Sequence, residues 1–118
     1  MCLDGTLYVE DGQPWLVFCH EWVQAVDGQI CAVKLKDDLS EAAGEPMVLF
    51  SAGESGWAEK IQIEPYHGIV TDGPWLMKNG EEMQLLWSSF QNGAYAVGIA
   101  KSESGRLAVP PWHGISQL

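Results

Sequence analysis

Apolar residues in the first half of the chain occur in short runs separated by turn signals. Leu7–Val9 and Trp15–Cys19 flank Asp11-Gly12, a dipeptide suited to a tight hairpin because Gly accepts positive φ. A third run, Cys31–Lys36, alternates apolar and polar residues, which is the period of a strand with one solvated face. With Met47–Phe50 as a fourth strand, the pattern predicts a four-stranded antiparallel meander from about residue 6 to residue 50.

The second half of the chain repeats this pattern. Asp4-Gly5 corresponds to Asp72-Gly73, a shift of 72 − 4 = 68 positions, and Asn79-Gly80 stands where a second hairpin turn is expected. The third strand of the second copy, Tyr95–Ala100, is apolar throughout, which predicts that it is more buried than its counterpart. The same shift relates Gly12 to Gly80 and Val17–Cys19 to Leu85–Trp87, and a small gap then aligns Gln29–Ala32 with Ala94–Val97.

Serial four-stranded meanders predict an all-β fold, a partial β-propeller with two antiparallel four-stranded-type blades. A β-sandwich is the alternative, but it would not require two copies that begin with the same Asp-Gly. The expected division is one incomplete propeller domain over residues 1–118, with blade one at about 3–51, a connector at about 52–66 and blade two at about 67–112. Within the connector, Trp57–Lys60 is expected to form a helical turn, and the tail from Leu107 gives at best a weak fourth strand.

Two blades do not close a propeller, which needs at least about four, and repeat units bury their cores only against neighbours. The chain is therefore expected to be a piece of a longer protein, to assemble with further copies, or to pack its blades in another way. We favour the first expectation, because Met1–Leu3 leads straight into a blade.

Composition restricts the partners. The 118 residues are 47% apolar and include six Trp, which is typical of one folded domain. The net charge of −10, from 16 acidic and 6 basic residues, argues against nucleic acid and anionic membranes, because phosphate binding needs clustered Lys and Arg. No run approaches the ~18 apolar residues of a membrane helix, and the N-terminus lacks the basic and then apolar segments of an export signal.

Several kinds of site lack support in the sequence. The three Cys residues include no C-x-x-C pair, which argues against zinc and thioredoxin-type chemistry. Cys19 and Cys31 are expected to be free, buried thiols, although adjoining strands would allow a disulfide between them. His67 and His113 show no metal-ligand spacing, no G-x-S-x-G elbow is present, and the Gly residues form no phosphate-binding loop. We therefore expect no metal and no cofactor.

Five segments, in this order, carry a resemblance to a known family: Leu3–Val9, Trp15–Trp22, Lys36–Ser40, Thr71–Leu76 and Leu86–Phe90. Their sequence resembles glycoside hydrolase family 43, whose members fold as five-bladed β-propellers and cleave arabinose- or xylose-containing polysaccharides. The likeness runs over about nine-tenths of the chain, corresponds to the central blades of the family and fades after Leu107.

The resemblance implies a set of three carboxylates at the narrow central end of the propeller. In the family, an Asp on the first blade is the general base, an Asp that opens a middle blade tunes the acid, and a Glu before Gly-Pro on the next blade is the general acid. By position, Asp4 matches the tuning Asp and Asp72, before Gly73-Pro74, matches the general acid. Asp72 is shorter than the Glu of the family pattern, and the base on the first blade has no counterpart here.

The chemistry explains this requirement. Inverting hydrolysis needs an acid for the leaving oxygen and a base for water, with the carboxyl groups roughly 6.5–9.5 Å apart. The acid must stay protonated near neutral pH, through burial or a neighbouring carboxylate. Equivalent points of adjacent blades face the same axis, so the duplication predicts that Asp4 and Asp72 form a mutual pair. Turn chemistry is the alternative explanation for both, since Asp-Gly is a common loop dipeptide.

Four further residues near the two aspartates are candidates for substrate binding. Trp15 and Trp87 lie within strands and are predicted to be core, which is the usual place of an aromatic side chain. The other positions lie at strand ends, where stacking on a sugar ring or hydrogen bonding to its hydroxyls competes with simple packing. These candidates are His20, Glu21, Trp22 and Trp75.

Three functional hypotheses follow. The first is the central part of a family 43-like hydrolase acting on plant-type arabinan or xylan, with acid from Asp72 tuned by Asp4 and negligible turnover alone, because the base is missing. The second is a non-catalytic module that binds glycan through aromatic residues or self-associates through exposed blade edges. The third is a gene fragment without a function of its own, whose edges would cause aggregation or dimerisation. Localisation stays open: members of the family are often exported, but this chain shows no signal.

Overall fold

The computed structural model describes residues 2–118, which contain two four-stranded antiparallel sheets. The first sheet has the order β1 (Cys2–Glu10), β2 (Gln13–His20), β3 (Gln29–Lys34) and β4 (Met47–Ser51). The second has the order β10 (Trp112–Gln117), β9 (Ala94–Ser102), β8 (Glu82–Gln91) and β7 (Asp72–Asn79). Between them, β5 (Lys60–Ile63) and β6 (Tyr66–Ile69) pair with each other, and the short helical pieces are α1 (Trp22–Ala25) and a 3₁₀ turn (Ala52–Ser55).

Both four-stranded sheets are meanders, because strands that follow one another along the chain are hydrogen-bonded neighbours. The predicted all-β class and both predicted meanders are confirmed. The fourth strand of the second sheet is stronger than expected, since β10 has 6 residues and pairs with β9 on both sides of a bulge. Within residues 2–118, no helix is long and apolar enough to cross a membrane.

The two sheets turn their first hairpins differently. In the first, the central residues Asp11 and Gly12 both have positive φ, 51° and 78°, which is the type I′ pattern. In the second, the central residues are Gly80 and Glu81, and of these Gly80 alone has positive φ, 65°, as in a type II′ turn. The two glycines that align in sequence therefore stand at different turn positions.

The shift of 68 residues also relates the third strands of the two sheets, and no gap is needed. Cys19 pairs with Ile30 and Trp87 pairs with Gly98, so that 98 − 30 = 68. The gapped alignment, which matched Ile30 with Tyr95, is therefore wrong by three positions. The reason is that β8 and β9 continue as a hairpin beyond the point where the first copy leaves its sheet and enters α1.

The burial of the third strands is also the reverse of the prediction. Cys31, Ala32 and Val33 are all buried, because the two faces of β3 lie against separate apolar clusters. The predicted solvated face is therefore wrong at Ala32, whereas Lys34 and Lys36 of the same face are exposed as predicted. In β9, by contrast, burial alternates and leaves Tyr95 and Val97 exposed, so this strand is not the more buried of the two.

The main core lies between the two four-stranded sheets, and Trp87 is near its centre. The indole ring of Trp87 is fully buried, 5.4 Å from the ring centroid of Phe50 and 5.0 Å from that of Trp57. Trp15 is 7% exposed, so both tryptophans predicted to be core are confirmed. Val17 and Cys19 of β2 and Leu85 of β8 also face this core, in the alternation expected of strands with one face against a neighbouring sheet.

The connector differs from the predicted helical turn over Trp57–Lys60. The 3₁₀ turn lies earlier and is followed by Gly56, with φ of 75°. The Ala58 N–H then donates to Oγ of Ser55 at 3.1 Å, and the Glu59 N–H donates to the carbonyl of Phe90 at 2.9 Å. The N–H groups of Ala58 and Glu59 therefore make no helical hydrogen bonds. The segment runs along the second sheet instead, with the ring of Trp57 against that of Trp87.

The three cysteines are free thiols, and the free state expected for Cys19 and Cys31 is confirmed. Cys19 and Cys31 lie on adjacent strands, but Cys31 pairs with Phe18, so the two thiols point to opposite faces of the sheet. Burial raises the pKa of Cys19 to about 12 and that of Cys31 to about 11. Both thiols are therefore protonated at neutral pH and chemically inert.

Replacement of Gly98 by Ala should destabilise the protein, because an added Cβ would lie 2.8 Å from Nε1 of Trp87 and would also overlap the ring of Trp57. Overpacking of this kind costs about 1–3 kcal/mol, which urea unfolding measures. The matched control is Gly44→Ala, because a Cβ at Gly44 meets no atom within 4 Å. An equal loss of stability in both variants would contradict the tight fit at Trp87.

Candidate active site

The first strand of each four-stranded sheet carries an aspartate at a β-bulge. In β1 the pairing shifts between Leu3 and Thr6, and Asp4 lies inside this bulge with φ of 56°. In β7 the pairing shifts between Asp72 and Trp75, so Asp72 is the last residue paired before its bulge. A β-bulge changes the direction in which nearby side chains point. Relative to the shift of 68 residues between the two copies, the two bulges are offset by one residue.

The two bulges bring the aspartates together across the sheets. The Gly73 N–H donates to Oδ2 of Asp4 at 3.2 Å, which ties the start of β7 to the start of β1. Asp4 is exposed and Asp72 is half-buried. The mutual pair of carboxylates that the duplication predicts is therefore present, although the two partners differ in register and in burial.

Both carboxylates line an open cleft of about 730 Å³ between the starts of β1 and β7. Trp75, Ser88 and Tyr95 contribute to the same cleft. Among the described residues that line it, Asp4 and Asp72 are the only ones with a carboxyl side chain. The cleft thus presents two acidic groups beside exposed aromatic rings, a combination suited to a polar ligand with apolar faces such as a sugar.

The environment of Asp72 favours its protonated form. Burial raises the pKa of Asp72, a hydrogen bond from the Tyr95 hydroxyl to Oδ2 at 2.8 Å opposes this rise, and the nearby charge of Asp4 adds to it. The resulting pKa lies above the ordinary value of an aspartate. This is the direction that a general acid needs.

The structure separates the four candidates for substrate binding. Trp75 lies in the cleft with 59% of its surface exposed. His20 lines a different pocket of about 270 Å³ and has Nδ1 3.0 Å from Oε1 of Gln29. Trp22 belongs to α1, where its ring meets Tyr66 edge to face at 6.4 Å.

Glu21 is the residue immediately before α1, and none of its side-chain atoms caps the helix. Its carbonyl accepts hydrogen bonds from the Gln24 and Ala25 N–H groups, both at 3.0 Å. Of the four candidates, then, Trp75 alone shares the cleft with the two aspartates. The roles of His20, Glu21 and Trp22 in binding stay predictions.

Sequence reasoning missed Tyr95 as a residue of the site. The signal that would have revealed it is Asn92-Gly93, whose residues have φ of 52° and 75° and close the hairpin of β8 and β9. A type I′ turn at this dipeptide makes Phe90 and Tyr95 cross-strand partners. Residue 95 then stands at the end of the sheet where β7 begins, close to Asp72.

Within the described part of the chain, residues 2–118, no three His, Cys, Asp or Glu side chains are placed so that they could hold a metal ion together.

Known proteins resemble the chain over nearly its whole length. The sequence pattern of the family described as Glycosyl hydrolases family 43 matches residues 1–113. Among solved structures, an endo-arabinase from Bacteroides thetaiotaomicron is 42% identical with a TM-score of 0.90, covering 100% of this chain and 42% of that chain. Among curated proteins, none matches the sequence.

More distant solved structures share the fold. A thermostable family-43 glycoside hydrolase is 17% identical with a TM-score of 0.67, covering 99% of this chain and 36% of its own. An endo-1,4-β-xylanase from Bacteroides thetaiotaomicron is 23% identical with a TM-score of 0.65, and the match covers 95% of this chain and 35% of the xylanase chain. The predicted partial β-propeller is thereby confirmed, and the chain spans less than half the length of each of these three structures.

Replacement of Asp72 by Asn should remove the loss of stability that Asp72 causes as pH rises. The pKa of Asp72 in the folded state is raised above the unfolded value of about 3.9. At pH values between these two pKa values, the native state binds more protons than the unfolded state. The free energy of unfolding therefore falls as pH rises through this window. Asn keeps an acceptor for Tyr95 and lacks the charge. Its stability relative to the parent chain should therefore be lowest in acid and should increase through this window, which unfolding by urea at several pH values measures.

The control for this measurement is Asp38→Asn. The hydroxyl of Ser40 donates to Asp38 and lowers the pKa of Asp38. The contribution of Asp38 is present above its unfolded pKa and is lost as pH falls through its folded pKa, so the trend in this variant should have the opposite sign. Trends of the same sign in both variants would contradict the environment described for Asp72.

Proposed function

The chain belongs to glycosyl hydrolases family 43, and from this membership we propose that it provides the acid side of a site for hydrolysis of O-glycosidic bonds in arabinose- or xylose-containing polysaccharides. Asp72 is the general acid and Asp4 the carboxylate that modulates its proton affinity. The observation that carries the proposal is the half-buried Asp72 beside Asp4 in one cleft, with its pKa raised.

Arabinan is the preferred substrate in this proposal. The endo-arabinase from Bacteroides thetaiotaomicron is 42% identical over 100% of this chain, whereas the xylanase is similar at only 23% identity and supports the fold alone. Stacking of Trp75 on a sugar ring is part of this proposal, and the exposed indole of Trp75 in the cleft with both aspartates supports it.

In the proposed reaction, Asp72 donates its proton to the glycosidic oxygen as the bond from the anomeric carbon to that oxygen breaks. Burial and the negative charge of Asp4 keep Asp72 protonated before this step. An Asp reaches one methylene less far than a Glu, so the substrate must enter correspondingly deeper toward the start of β7.

The general base is proposed to come from outside the described cleft. Inversion requires a carboxylate roughly 6.5–9.5 Å from the acid on the opposite face of the sugar. Asp4, which the Gly73 N–H holds on the same wall as the acid, is assigned to tuning, and the cleft within residues 2–118 has no third carboxyl side chain. The chain by itself should therefore bind substrate without turning it over.

A small nucleophile should compensate for the missing base. With nitrophenyl arabinoside or arabinan oligosaccharides, we expect no hydrolysis by the chain alone. Azide should restore bond cleavage, because it attacks the anomeric carbon from the open face while Asp72 protonates the leaving oxygen, giving an arabinosyl azide and the free alcohol. Chromatography measures both outcomes: released sugar reports hydrolysis, and arabinosyl azide reports azide-dependent cleavage.

Three variants make this experiment specific. Asp72→Asn should abolish azide-dependent cleavage of the oligosaccharides, whose leaving groups need protonation. Asp38→Asn, in the β3–β4 loop and not among the residues that line the cleft, should leave azide-dependent cleavage unchanged. Trp75→Ala should weaken oligosaccharide binding severalfold. Clear turnover without azide would disprove the missing base, and azide-dependent cleavage that survives Asp72→Asn would disprove the role of Asp72.

A second candidate function is a non-catalytic module that binds glycan or self-associates. Large apolar side chains are exposed on the outer face of the first sheet, including Leu7 at 52% and Val48 at 49%, and on that of the second, including Val97 at 42%. Light scattering separates these hypotheses: a monomer at all concentrations contradicts self-association. Loss of arabinan binding in Trp22→Ala, together with normal binding in Asp72→Asn, would favour the binding module.

A further inference from the structure

Tyr95 makes the one side-chain hydrogen bond that Asp72 receives among the described residues. The phenol O–H donates to Oδ2 of Asp72 at 2.8 Å. Tyr95 of β9 pairs with Phe90, which lies two residues along β8 from Ser88, the strand partner of Asp72. Although 64% of its surface is exposed, Tyr95 thus has a defined polar contact within the cleft.

The aromatic ring of Tyr95 is held by its surroundings. It lies against Phe90, with ring centroids 4.3 Å apart and planes inclined by 31°. The turn that joins these two residues is anchored to the connector, because the Asn92 N–H donates to Oε2 of Glu59 at 2.9 Å and the Glu59 N–H donates to the Phe90 carbonyl. The phenol oxygen is therefore fixed from both the ring face and the backbone.

We propose that Tyr95 is a positioning residue for Asp72: its hydroxyl occupies Oδ2 and so reserves Oδ1 for the proton that is transferred. This inference rests on the proposed role of Asp72 as the general acid. In a protonated carboxyl group, one oxygen carries the proton and the other is the better acceptor. A donor fixed on Oδ2 therefore makes Oδ1 the hydroxyl oxygen, and it continues to stabilise the carboxylate after the proton has left.

The charges around this pair are consistent with a permanent donor. The titratable groups that face Asp72 are Asp4 of β1, the phenol of Tyr95 and the buried thiol of Cys19. The hydrogen bond to Asp72 raises the pKa of Tyr95, and burial and the charge of Asp72 add to this. The phenol thus stays protonated, so it donates in both protonation states of the acid.

The duplication does not supply a second residue of this kind. The position 68 residues before Tyr95 is Asp27, which lies between α1 and β3 and accepts a hydrogen bond from the Gly53 N–H at 2.8 Å. Tyr95 is therefore specific to the copy that carries the proposed acid. The donor on Asp4 is instead the backbone N–H of Gly73.

Tyr95→Phe tests the inference, because it removes the hydroxyl and keeps the ring on Phe90. Carboxyl-carbon NMR of the chain should show that Asp72 titrates at higher pH in this variant, since the lost hydrogen bond favoured the charged form. Reciprocally, Asp72→Asn should lower the pKa of Tyr95, which phenolate absorbance measures. Tyr66→Phe is the matched control: it removes the hydroxyl of another exposed tyrosine, one that contacts Trp22, and should move neither titration.

Two further measurements separate positioning from folding and from the proposed function. Phe90→Ala keeps the hydroxyl but loosens the ring, and should raise the titration midpoint of Asp72 less than Tyr95→Phe does. In azide-dependent cleavage, Tyr95→Phe should lower kcat and move its pH profile with little change in KM. An unmoved Asp72 titration, or an unchanged pH profile in an active chain, overturns the role of Tyr95. Absence of azide-dependent cleavage in the parent chain overturns the proposed function, whereas the NMR titrations, which need no turnover, still decide whether Tyr95 controls the titration of Asp72.

Discussion

The packing of the two sheets around Trp87 is the constraint on which the rest of the structure depends. The indole ring is fully buried and lies between Phe50 of the first sheet and Trp57 of the connector. It fits because its strand partner is Gly98, which has no side chain to occupy the same space. This contact fixes the distance between the sheets, and with it the approach of β1 to β7 at the end where the aspartates lie.

The two aspartates show how one dipeptide acquires two environments. Asp4 is exposed and accepts from the Gly73 N–H, whereas Asp72 is half-buried and accepts from a phenol. Burial raises the pKa of Asp72, and the charge of its neighbour adds to that effect. Carboxyl pairs whose surroundings separate their proton affinities are typical of acid–base sites, which is the basis of the different roles proposed for the two residues.

The fold was largely predictable because its determinants are local. Glycine turns and the alternation of apolar residues placed the first two strands of each sheet, and the repeated Asp-Gly placed the two carboxylates near each other. The burial of β3 and β9 was not predictable in this way, because it depends on which faces of the two sheets meet other clusters. Tyr95 was not predicted as a site residue because it lies in the part of the β8–β9 hairpin that has no counterpart in the first copy. His20 and Trp22 lie outside the cleft because the first copy leaves its sheet there and enters α1.

The offset of the two β-bulges has a chemical consequence. Asp4 lies inside its bulge and Asp72 lies just before its own, so no two-fold operation relates their carboxyl groups. Carboxylates in a symmetric dyad share a single hydrogen equally, and either member can release it. A slip of one residue between the duplicated units removes that equivalence, and it supports the proposal of different roles for Asp72 and Asp4.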